Sequence, residues 1–240
     1  MERKNFLSKM LSLLFPENIT CVFCGEDCDK KREVDVCSNC IKNLPYNSGR
    51  ICKKCGKPLE IGSSCPSCKF TKHYFTKARA PFIYDNMIRQ AIHRLKFNGE
   101  RFIATSLAYF LFLSYKQLEI EADYIVPIPL SENRLKERGY NQAEELARKL
   151  SDFTGVDLLN ELEKVKETPK QSNTELEDRK RNVENVFKIK SNKRIKNKTI
   201  VLVDDVYTTG ATVDSASKEL KRKGAAKVYV LTVAHTIHKK

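Results

Sequence analysis

The chain has 240 residues, of which 41% are hydrophobic, so it can form one sizeable α/β core with a small additional module. This composition excludes a chain that is disordered throughout. Its 44 Lys and Arg outnumber its 30 Asp and Glu, and the net charge of +14 favours polyanionic partners: nucleic acid, phosphorylated substrates or an anionic membrane surface.

The N-terminal segment, residues 1–17, predicts a short amphipathic helix that ends at Pro16. Its apolar face is too short to span a bilayer, and no small-x-small cleavage site follows it. This face either packs against the protein or contacts a membrane surface or a partner. We therefore expect a cytoplasmic protein, with peripheral contact at the inner face of the membrane as an open alternative.

All nine cysteines lie between Cys21 and Cys68, and eight of them form four Cys-x-x-Cys pairs. Each pair can offer two thiolates to a tetrahedral Zn²⁺, so the segment predicts two structural Cys₄ zinc sites. Reduced zinc thiolates agree with a cytoplasmic location. The eight predicted ligands are Cys21, Cys24, Cys37, Cys40, Cys52, Cys55, Cys65 and Cys68.

An internal repeat suggests how these ligands are grouped, because CVFCG at Cys21 recurs as CKKCG at Cys52. Two consecutive zinc ribbons over residues 18–70 are the simplest interpretation. The first four cysteines then form one site and the last four the other, with a cross-braced grouping as the alternative. Cys28 is left as a spare thiol or as a substitute ligand in an irregular first ribbon.

The segment Thr71–Lys77 is interpreted as a linker to a larger domain, residues 78–240, that begins with the strand ARAPFIYD. Apolar residues at helical spacing follow in DNMIRQAIHRLKFNGE and predict a helix. Its other side carries cations that form either a binding face or a solvated one. Those cations are Arg89, His93, Arg94 and Lys96. A second helix, Arg101–Gln117, is predicted to lie in the core.

The next strand, DYIVPIPL, ends in a proline-rich turn that is followed by SENRLKERGYNQ. Cations and amides placed just after a strand suit pyrophosphate. The candidates in this block are Arg134, Arg138, Asn141 and Gln142.

A polar segment, Lys164–Asn185, lies between predicted strands near Leu162 and Phe187. It is either a mobile lid over a polyphosphate, with Lys170 and Arg179 as candidate contacts, or a solvated loop. The basic run Lys188–Lys198 is either a solvated hairpin or part of a nucleic-acid track.

The most informative segment is VLVDDVYTTGAT, Val201–Thr212. A buried strand, Thr199–Val203, leads through two acids and small residues to a predicted helix, Ala211–Arg222, and a last strand, Lys227–Ala234, follows. Asp204 and Asp205 are acceptors suited to a ribose diol, or to Mg²⁺ shared with a pyrophosphate. Backbone N–H groups at the helix start can converge on a phosphate.

The chain has neither Gly-x-Gly-x-x-Gly after a strand nor Gly-Lys-Ser/Thr. The segment instead resembles the 5-phosphoribosyl-1-pyrophosphate (PRPP) motif of type I phosphoribosyltransferases. Together with the leucine-rich N-terminus, the paired cysteines, IHRLKFNGE and VPIPL…RLKERGYNQ, it resembles the ComF family over essentially the whole chain. That resemblance implies a mainly parallel α/β sheet flanked by helices, preceded by a double zinc-ribbon module, and a role in DNA uptake during natural transformation.

The resemblance also implies site residues and ligands. Asp204 and Asp205 would hold the ribose hydroxyls and Mg²⁺, and Arg134, Arg138, Gly139, Asn141 and Gln142 match a second family signature. The PRPP-binding segment is predicted as Asp204, Asp205, Val206, Tyr207, Thr208, Thr209, Gly210, Ala211 and Thr212. The expected partners are PRPP, single-stranded DNA, and a competence helicase or other uptake proteins.

Two hypotheses about function follow. In the first, the protein is a PRPP-using transferase with an unspecified acceptor. In the second, it is a non-catalytic zinc-ribbon adaptor that binds single-stranded DNA. The intact Asp204-Asp205 pair and its loop favour PRPP binding, whereas the charge and the ribbons favour nucleic acid.

Overall fold

The computed structural model describes residues 20–28, 34–165, 186–191 and 194–237 of the chain. The protein forms two compact units, Met1–Leu44 and Pro45–Lys240. The amphipathic helix predicted over residues 1–17 lies outside the described residues, so it and its membrane contact stay predictions. No helix in the described part of the chain combines the length and apolar character that crossing a membrane requires.

The first unit contains a tight turn closed by an antiparallel bridge between Thr20 and Asp27, followed by helix α1 (Ser38–Asn43). Its small core includes the buried side chains of Val22, Val36 and Leu44. Within the described residues of this unit the buried apolar surface is small, so bound metal is an expected source of stability.

The second unit is built on a parallel sheet with the strand order β1-β7-β6-β3, in which β2 also pairs with β7. Its strands are β1 (Lys77–Arg79), β2 (Phe82–Ile83), β3 (Tyr124–Pro127), β6 (Thr199–Tyr207) and β7 (Lys227–His235). The two central strands are almost continuously buried, as expected for parallel strands covered on both faces.

The helices of this unit are α2 (Pro66–Phe70), α3 (Asn86–Phe97), α4 (Ile103–Lys116), α5 (Glu132–Arg138), α6 (Gln142–Thr154) and α7 (Ala211–Arg222). Helices α4 and α6 pack against each other and the sheet, and α7 contacts β6 and β7. The Asp85 side chain caps α3 by accepting a hydrogen bond from the Ile88 N–H. This arrangement confirms the predicted α/β class.

The sheet has an uneven carboxyl edge. Strands β6 and β7 stay paired as far as Tyr207 and His235, but β3 pairs with β6 only as far as Pro127 and Val203. The predicted end of β6 at Val203 is therefore too early, because β6 continues to pair with β7 as far as Tyr207. The last part of β6 extends beyond the end of β3, where a ligand has room.

The strands predicted near Leu162 and Phe187 are β4 (Leu162–Lys164) and β5 (Phe187–Ile189), which form an antiparallel pair. The lid candidates between them, Lys170 and Arg179, lie outside the described residues. Their role stays a prediction.

The segment Thr71–Lys77, interpreted as a linker, is packed into the second unit. Phe75 is only 1% exposed, and the Thr76 N–H donates to the Val228 carbonyl at 2.6 Å. The second cysteine cluster also belongs to this unit. The domain boundaries 18–70 and 78–240 were drawn from sequence motifs. The compact units divide the chain elsewhere, between Leu44 and Pro45, so the motif-based boundaries stay predictions.

Candidate functional site

Eight cysteines form two clusters, each with four sulfur atoms within 4.8 Å of one another. One cluster is Cys21, Cys24, Cys37 and Cys40, and the other is Cys52, Cys55, Cys65 and Cys68. The consecutive grouping is therefore confirmed, and the cross-braced alternative is wrong. Cys28 is in neither cluster.

The donor atoms fit Zn²⁺. Burial alone would raise the pKa of the Cys52 thiol, but the N–H groups of Cys55, Cys65 and Lys54 bring it down to about 6. Similar backbone donors lower the pKa of Cys21 to about 7. Four sulfur ligands within this distance are the set that structural Zn²⁺ prefers, and the metal would hold all four as thiolates.

The loop after β6 consists of three residues, Thr208 to Gly210, and α7 begins at Ala211. Gly210 adopts a left-handed φ of 82°, which favours glycine. It also lies directly against the phenol of Tyr207, where a Cβ would collide with the ring. Thr208, Thr209, Ala211 and Thr212 are all exposed. The Ala211 N–H donates to Thr209 Oγ1 at 3.4 Å, and Gly210 caps the positive end of α7 without a side-chain hydrogen bond.

The two acids just before this loop have different surroundings. Asp205 is only 5% exposed; Lys96 Nζ contacts its Oδ2, and Gln142 Nε2 donates to its Oδ1 at 3.3 Å. Asp204 is partly exposed, and its Oδ1 accepts the Asp205 N–H at 2.8 Å. Both carboxylate oxygens of Asp205 are therefore held by neighbouring side chains, whereas the residue Asp204 keeps part of its surface exposed.

Their pKa values move in opposite directions. Burial, followed by the neighbouring Asp205 charge, raises the pKa of Asp204 well above its usual value. Burial also acts to raise the pKa of Asp205, but the Lys96 ammonium outweighs it and holds that pKa below the usual value. A raised carboxyl pKa at the carboxyl edge of a parallel sheet is typical of a site that binds a cation or a hydroxyl donor.

The second family signature contacts Asp205 through the side chain of Gln142. Its Oε1 accepts a hydrogen bond from Arg138 Nη1 at 2.9 Å, while its Nε2 points to Asp205. Arg138 also lies over the Phe97 ring, with Cζ 4.7 Å from the centroid, and its buried Nε has no hydrogen-bond acceptor among the described residues. A guanidinium in this state can accept an anion.

The other members of this signature shape the backbone. Gly139 ends α5 with a left-handed φ of 76°, and Asn141 caps α6 by accepting the Ala143 N–H. The Asn141 amide also donates to the Ile128 carbonyl at 3.0 Å. Arg134 is partly exposed on α5.

The blocks IHRLKFNGE and RGYNQ interlock, which the sequence did not indicate. The Tyr140 hydroxyl donates to the Leu95 carbonyl, and the Arg101 guanidinium lies over the Tyr140 ring. Arg101 also pairs with Glu145. The Tyr140 contact holds the C-terminal end of α3 next to the residues before α6, and Lys96, the residue after Leu95, contacts Asp205. Among the cations predicted on α3, Arg94 instead pairs with Glu100.

A cavity of about 530 Å³ opens between the turn after β3 and the strand β4. Pro129, Ser131 and Asn133 line one side, and Leu162 and Lys164 line the other. It is large enough for a small organic molecule.

Comparison with known proteins assigns the chain to a family. Residues 10–69 match the double zinc ribbon domain, and residues 103–240 match the phosphoribosyl transferase domain. Competence protein F of Haemophilus influenzae is 31% identical over 229 residues, which cover 90% of this chain and 97% of that protein. This chain belongs to the ComF family. Its ComF relatives include competence protein ComFC of Bacillus subtilis, 30% identical over 203 residues that cover 82% of each chain.

A further relative of this ComF family chain has a different name. DNA utilization protein YhgH of Salmonella typhimurium is 29% identical over 209 residues, which cover 84% of this chain and 91% of that protein. The double zinc ribbon and the phosphoribosyltransferase fold predicted from the motifs are thus both confirmed.

Proposed function

We propose that this ComF family protein binds PRPP with Mg²⁺ at the carboxyl edge of β6 and takes part in DNA uptake during natural transformation. The observation that carries the PRPP proposal is the arrangement around Asp205. One strand, loop and helix carry three features in order. They are the partly exposed Asp204, the buried Asp205 held by Lys96 and Gln142, and the start of α7.

Each group has a role in this proposal. The N–H groups and hydroxyls of residues 208–212 bind the 5-phosphate at the start of α7. Asp204 binds the ribose hydroxyls or the Mg²⁺ that arrives with the pyrophosphate, and Asp205 keeps the strand end in place. Arg138 and Lys96 supply positive charge for the leaving pyrophosphate.

The chemistry that fits these groups is displacement of pyrophosphate at C1 of the ribose through an oxocarbenium-like state. Catalysis then depends on positioning and electrostatics, and no protein nucleophile is needed. The cavity beside β4 is our candidate site for the acceptor.

Calorimetric titration of the zinc-loaded protein with PRPP and Mg²⁺ tests the proposal. We expect Mg²⁺-dependent binding that is lost in Asp204→Asn and kept in Asp152→Asn, which changes an exposed acid on α6. Unchanged affinity in Asp204→Asn would show that the site is assigned wrongly.

The raised pKa of Asp204 gives this test a pH dependence. As the pH falls through the raised pKa, the carboxylate takes up a proton and can no longer bind Mg²⁺, so affinity decreases on the acid side. The same shift means that the charged form is unfavourable in the folded protein. Asp204→Asn should therefore raise the melting temperature, by roughly 2–4 °C for each kcal/mol of relieved repulsion.

Binding of single-stranded DNA is the second candidate function, and the surface of the second ribbon favours it. Phe70 is 89% exposed and Tyr74 is 46% exposed, and the exposed Lys69 and Lys72 lie beside them in sequence. Exposed aromatic rings among lysines suit stacked bases and phosphates. A competence helicase or other uptake proteins as partners stay predictions.

Fluorescence anisotropy with a labelled oligonucleotide tests this surface. The double variant Phe70→Ala with Tyr74→Ala should weaken binding, whereas Phe102→Ala, which removes another exposed ring, should not. We expect a log-log salt slope of about −0.7 for each phosphate contacted. A flat salt response would contradict a phosphate-contacting surface.

A further inference from the structure

Tyr207 is the last residue of β6 and lies against Gly210 in residues 208–210, the loop proposed to bind the 5-phosphate and named the phosphate loop below. It is 4% exposed, and its ring stacks on His235 with centroids 4.6 Å apart and an interplanar angle of 23°. Gly210 passes so close to the phenol that a Cβ there would overlap it. The course of the loop therefore depends on where the Tyr207 ring is held.

Phe75 also packs against the Tyr207 ring. The two rings meet edge to face, with centroids 6.3 Å apart and an interplanar angle of 89°. Phe75 in turn contacts the second zinc ribbon. Lys54, located between the ligands Cys52 and Cys55, places its ammonium 5.3 Å from the Phe75 ring centroid and donates to the Phe75 carbonyl. A continuous packed path thus joins the zinc ligands to the phosphate loop.

The core of the unit shows the same connection. Cys52, Cys55 and Cys65 are buried in one apolar cluster that also contains Phe75, Tyr207 and Val213 of α7. The Ala78 N–H donates to the Lys54 carbonyl at 2.8 Å. The turn from Cys52 to Gly56, called the second knuckle, is therefore also hydrogen-bonded to β1.

A second contact lies at the C-terminal end of the phosphate loop, where α7 begins. The Tyr74 N–H donates to Asp214 Oδ1 at 2.7 Å. Asp214 lies in the first turn of α7, and its own N–H donates to the Gly210 carbonyl at 2.9 Å. The segment after the second ribbon therefore holds both the start and the end of the phosphate loop, through Tyr207 and Asp214.

We propose that zinc bound by Cys52, Cys55, Cys65 and Cys68 preorganises the phosphate loop, with Phe75 and Tyr207 as positioning residues. Binding of a sugar phosphate then depends on zinc in this one site. The physical reason is that a ribbon of this size is ordered by its metal, and a loop that is already ordered loses less entropy when it binds a ligand. The inference rests on the proposed function of the loop and adds its dependence on zinc.

Matched cysteine variants of the full-length protein test the inference. Cys68→Ser and Cys40→Ser remove the last ligand of the second and first cluster, respectively, and each should lose one zinc ion by mass spectrometry. In Cys68→Ser, amide hydrogen exchange across residues 204–212 should become faster and the affinity for Mg²⁺-PRPP should fall roughly 10- to 100-fold. Cys40→Ser should change neither.

Phe75→Leu tests the path without touching a ligand, and it also covers the case in which Cys68→Ser fails to fold. It should keep both zinc ions and its circular dichroism spectrum, yet show faster exchange across residues 204–212 and weaker PRPP binding. Normal exchange and normal affinity in Phe75→Leu would overturn the proposal, and so would equal effects of Cys40→Ser and Cys68→Ser.

The two proposals can fail separately. If the wild-type protein does not bind Mg²⁺-PRPP, the proposed function is wrong. Exchange rates in the ligand-free protein then decide the zinc dependence of the loop. Faster exchange in both Cys68→Ser and Phe75→Leu supports it, and unchanged exchange contradicts it.

Discussion

The two zinc ribbons share one local structure. In each ribbon, the carbonyl of the first cysteine accepts a hydrogen bond from the N–H of the glycine that follows the second cysteine, the knuckle glycine. These bonds run from Gly25 N to Cys21 O and from Gly56 N to Cys52 O, and both are 2.9 Å long. In each, the second pair of ligands begins a short helix, α1 or α2, whose preceding cysteine caps it through sulfur.

The surroundings of the two ribbons differ. The first belongs to the small unit Met1–Leu44, whereas the second belongs to the unit that contains the parallel sheet. The same cysteine spacing therefore builds the same metal site, but contacts outside the motif decide whether that site stabilises only itself or also a neighbouring loop. Two pairs of substitutions compare the ribbons directly, and two further pairs test the contacts of Tyr74, which follows the second ribbon.

The knuckle glycines should show the largest difference. Both have a left-handed φ, 79° at Gly25 and 75° at Gly56, so alanine costs about 1–2 kcal/mol at either position. At Gly56 the new Cβ would also lie 2.8 Å from the Ala78 carbonyl oxygen, whereas nothing lies within 4 Å at Gly25. We expect Gly56→Ala to destabilise the larger unit by about 3 kcal/mol in urea unfolding.

Gly25→Ala is the control for that experiment. It should weaken zinc retention in the first ribbon, measured with a chromogenic chelator, and leave the urea midpoint of the larger unit unchanged. Equal midpoint shifts for the two variants would mean that the second ribbon is no more closely packed than the first.

Asn47 gives the next effect in size. Its Nδ2 donates to the Gly56 carbonyl at 2.9 Å and to the Ala80 carbonyl at 3.2 Å, which ties the second knuckle to the strands. Asn47→Ala should destabilise the larger unit by about 2 kcal/mol, because two carbonyls lose a donor. Asn43→Ala on the exposed side of α1 should cost less than about 0.5 kcal/mol. Thermal unfolding followed by circular dichroism checks both.

Asp214 tests the contact at the far side of the loop. Asp214→Ala removes the acceptor of the Tyr74 N–H and should cost about 1 kcal/mol, whereas Asp214→Asn keeps an acceptor oxygen and should cost less. Hydrogen exchange of the Tyr74 amide is the direct measurement. Equal protection in both variants would argue against this bond.

The smallest effect is expected at Lys218, whose ammonium lies 5.7 Å from the Tyr74 ring centroid. Lys218→Met keeps the apolar part of the side chain and should cost about 0.5 kcal/mol. Lys227→Met, at the exposed start of β7, serves as the control. A larger loss of stability in Lys227→Met than in Lys218→Met would contradict a stabilising contact between Lys218 and the Tyr74 ring.

Much of the site could be predicted because its parts are close together in the chain. The order of strand, two acids, small-residue loop and helix is visible in VLVDDVYTTGAT, and helix α7 has the predicted bounds. Only the end of β6 was predicted too early, since its last residues depend on pairing with β7. Lys96 was noted as one of several cations, but nothing in the sequence indicated that it would reach Asp205.

The clustered cysteines and the order of the elements could be predicted from the sequence alone, because ligand spacing and helix or strand periodicity are short-range properties. The pairing of cations with acids, the presence of the second ribbon in the unit with the sheet, and the burial of Phe75 became visible only in the folded protein. These outcomes depend on side chains far apart in sequence, such as Phe75 and Tyr207, that come together only when the apolar core forms.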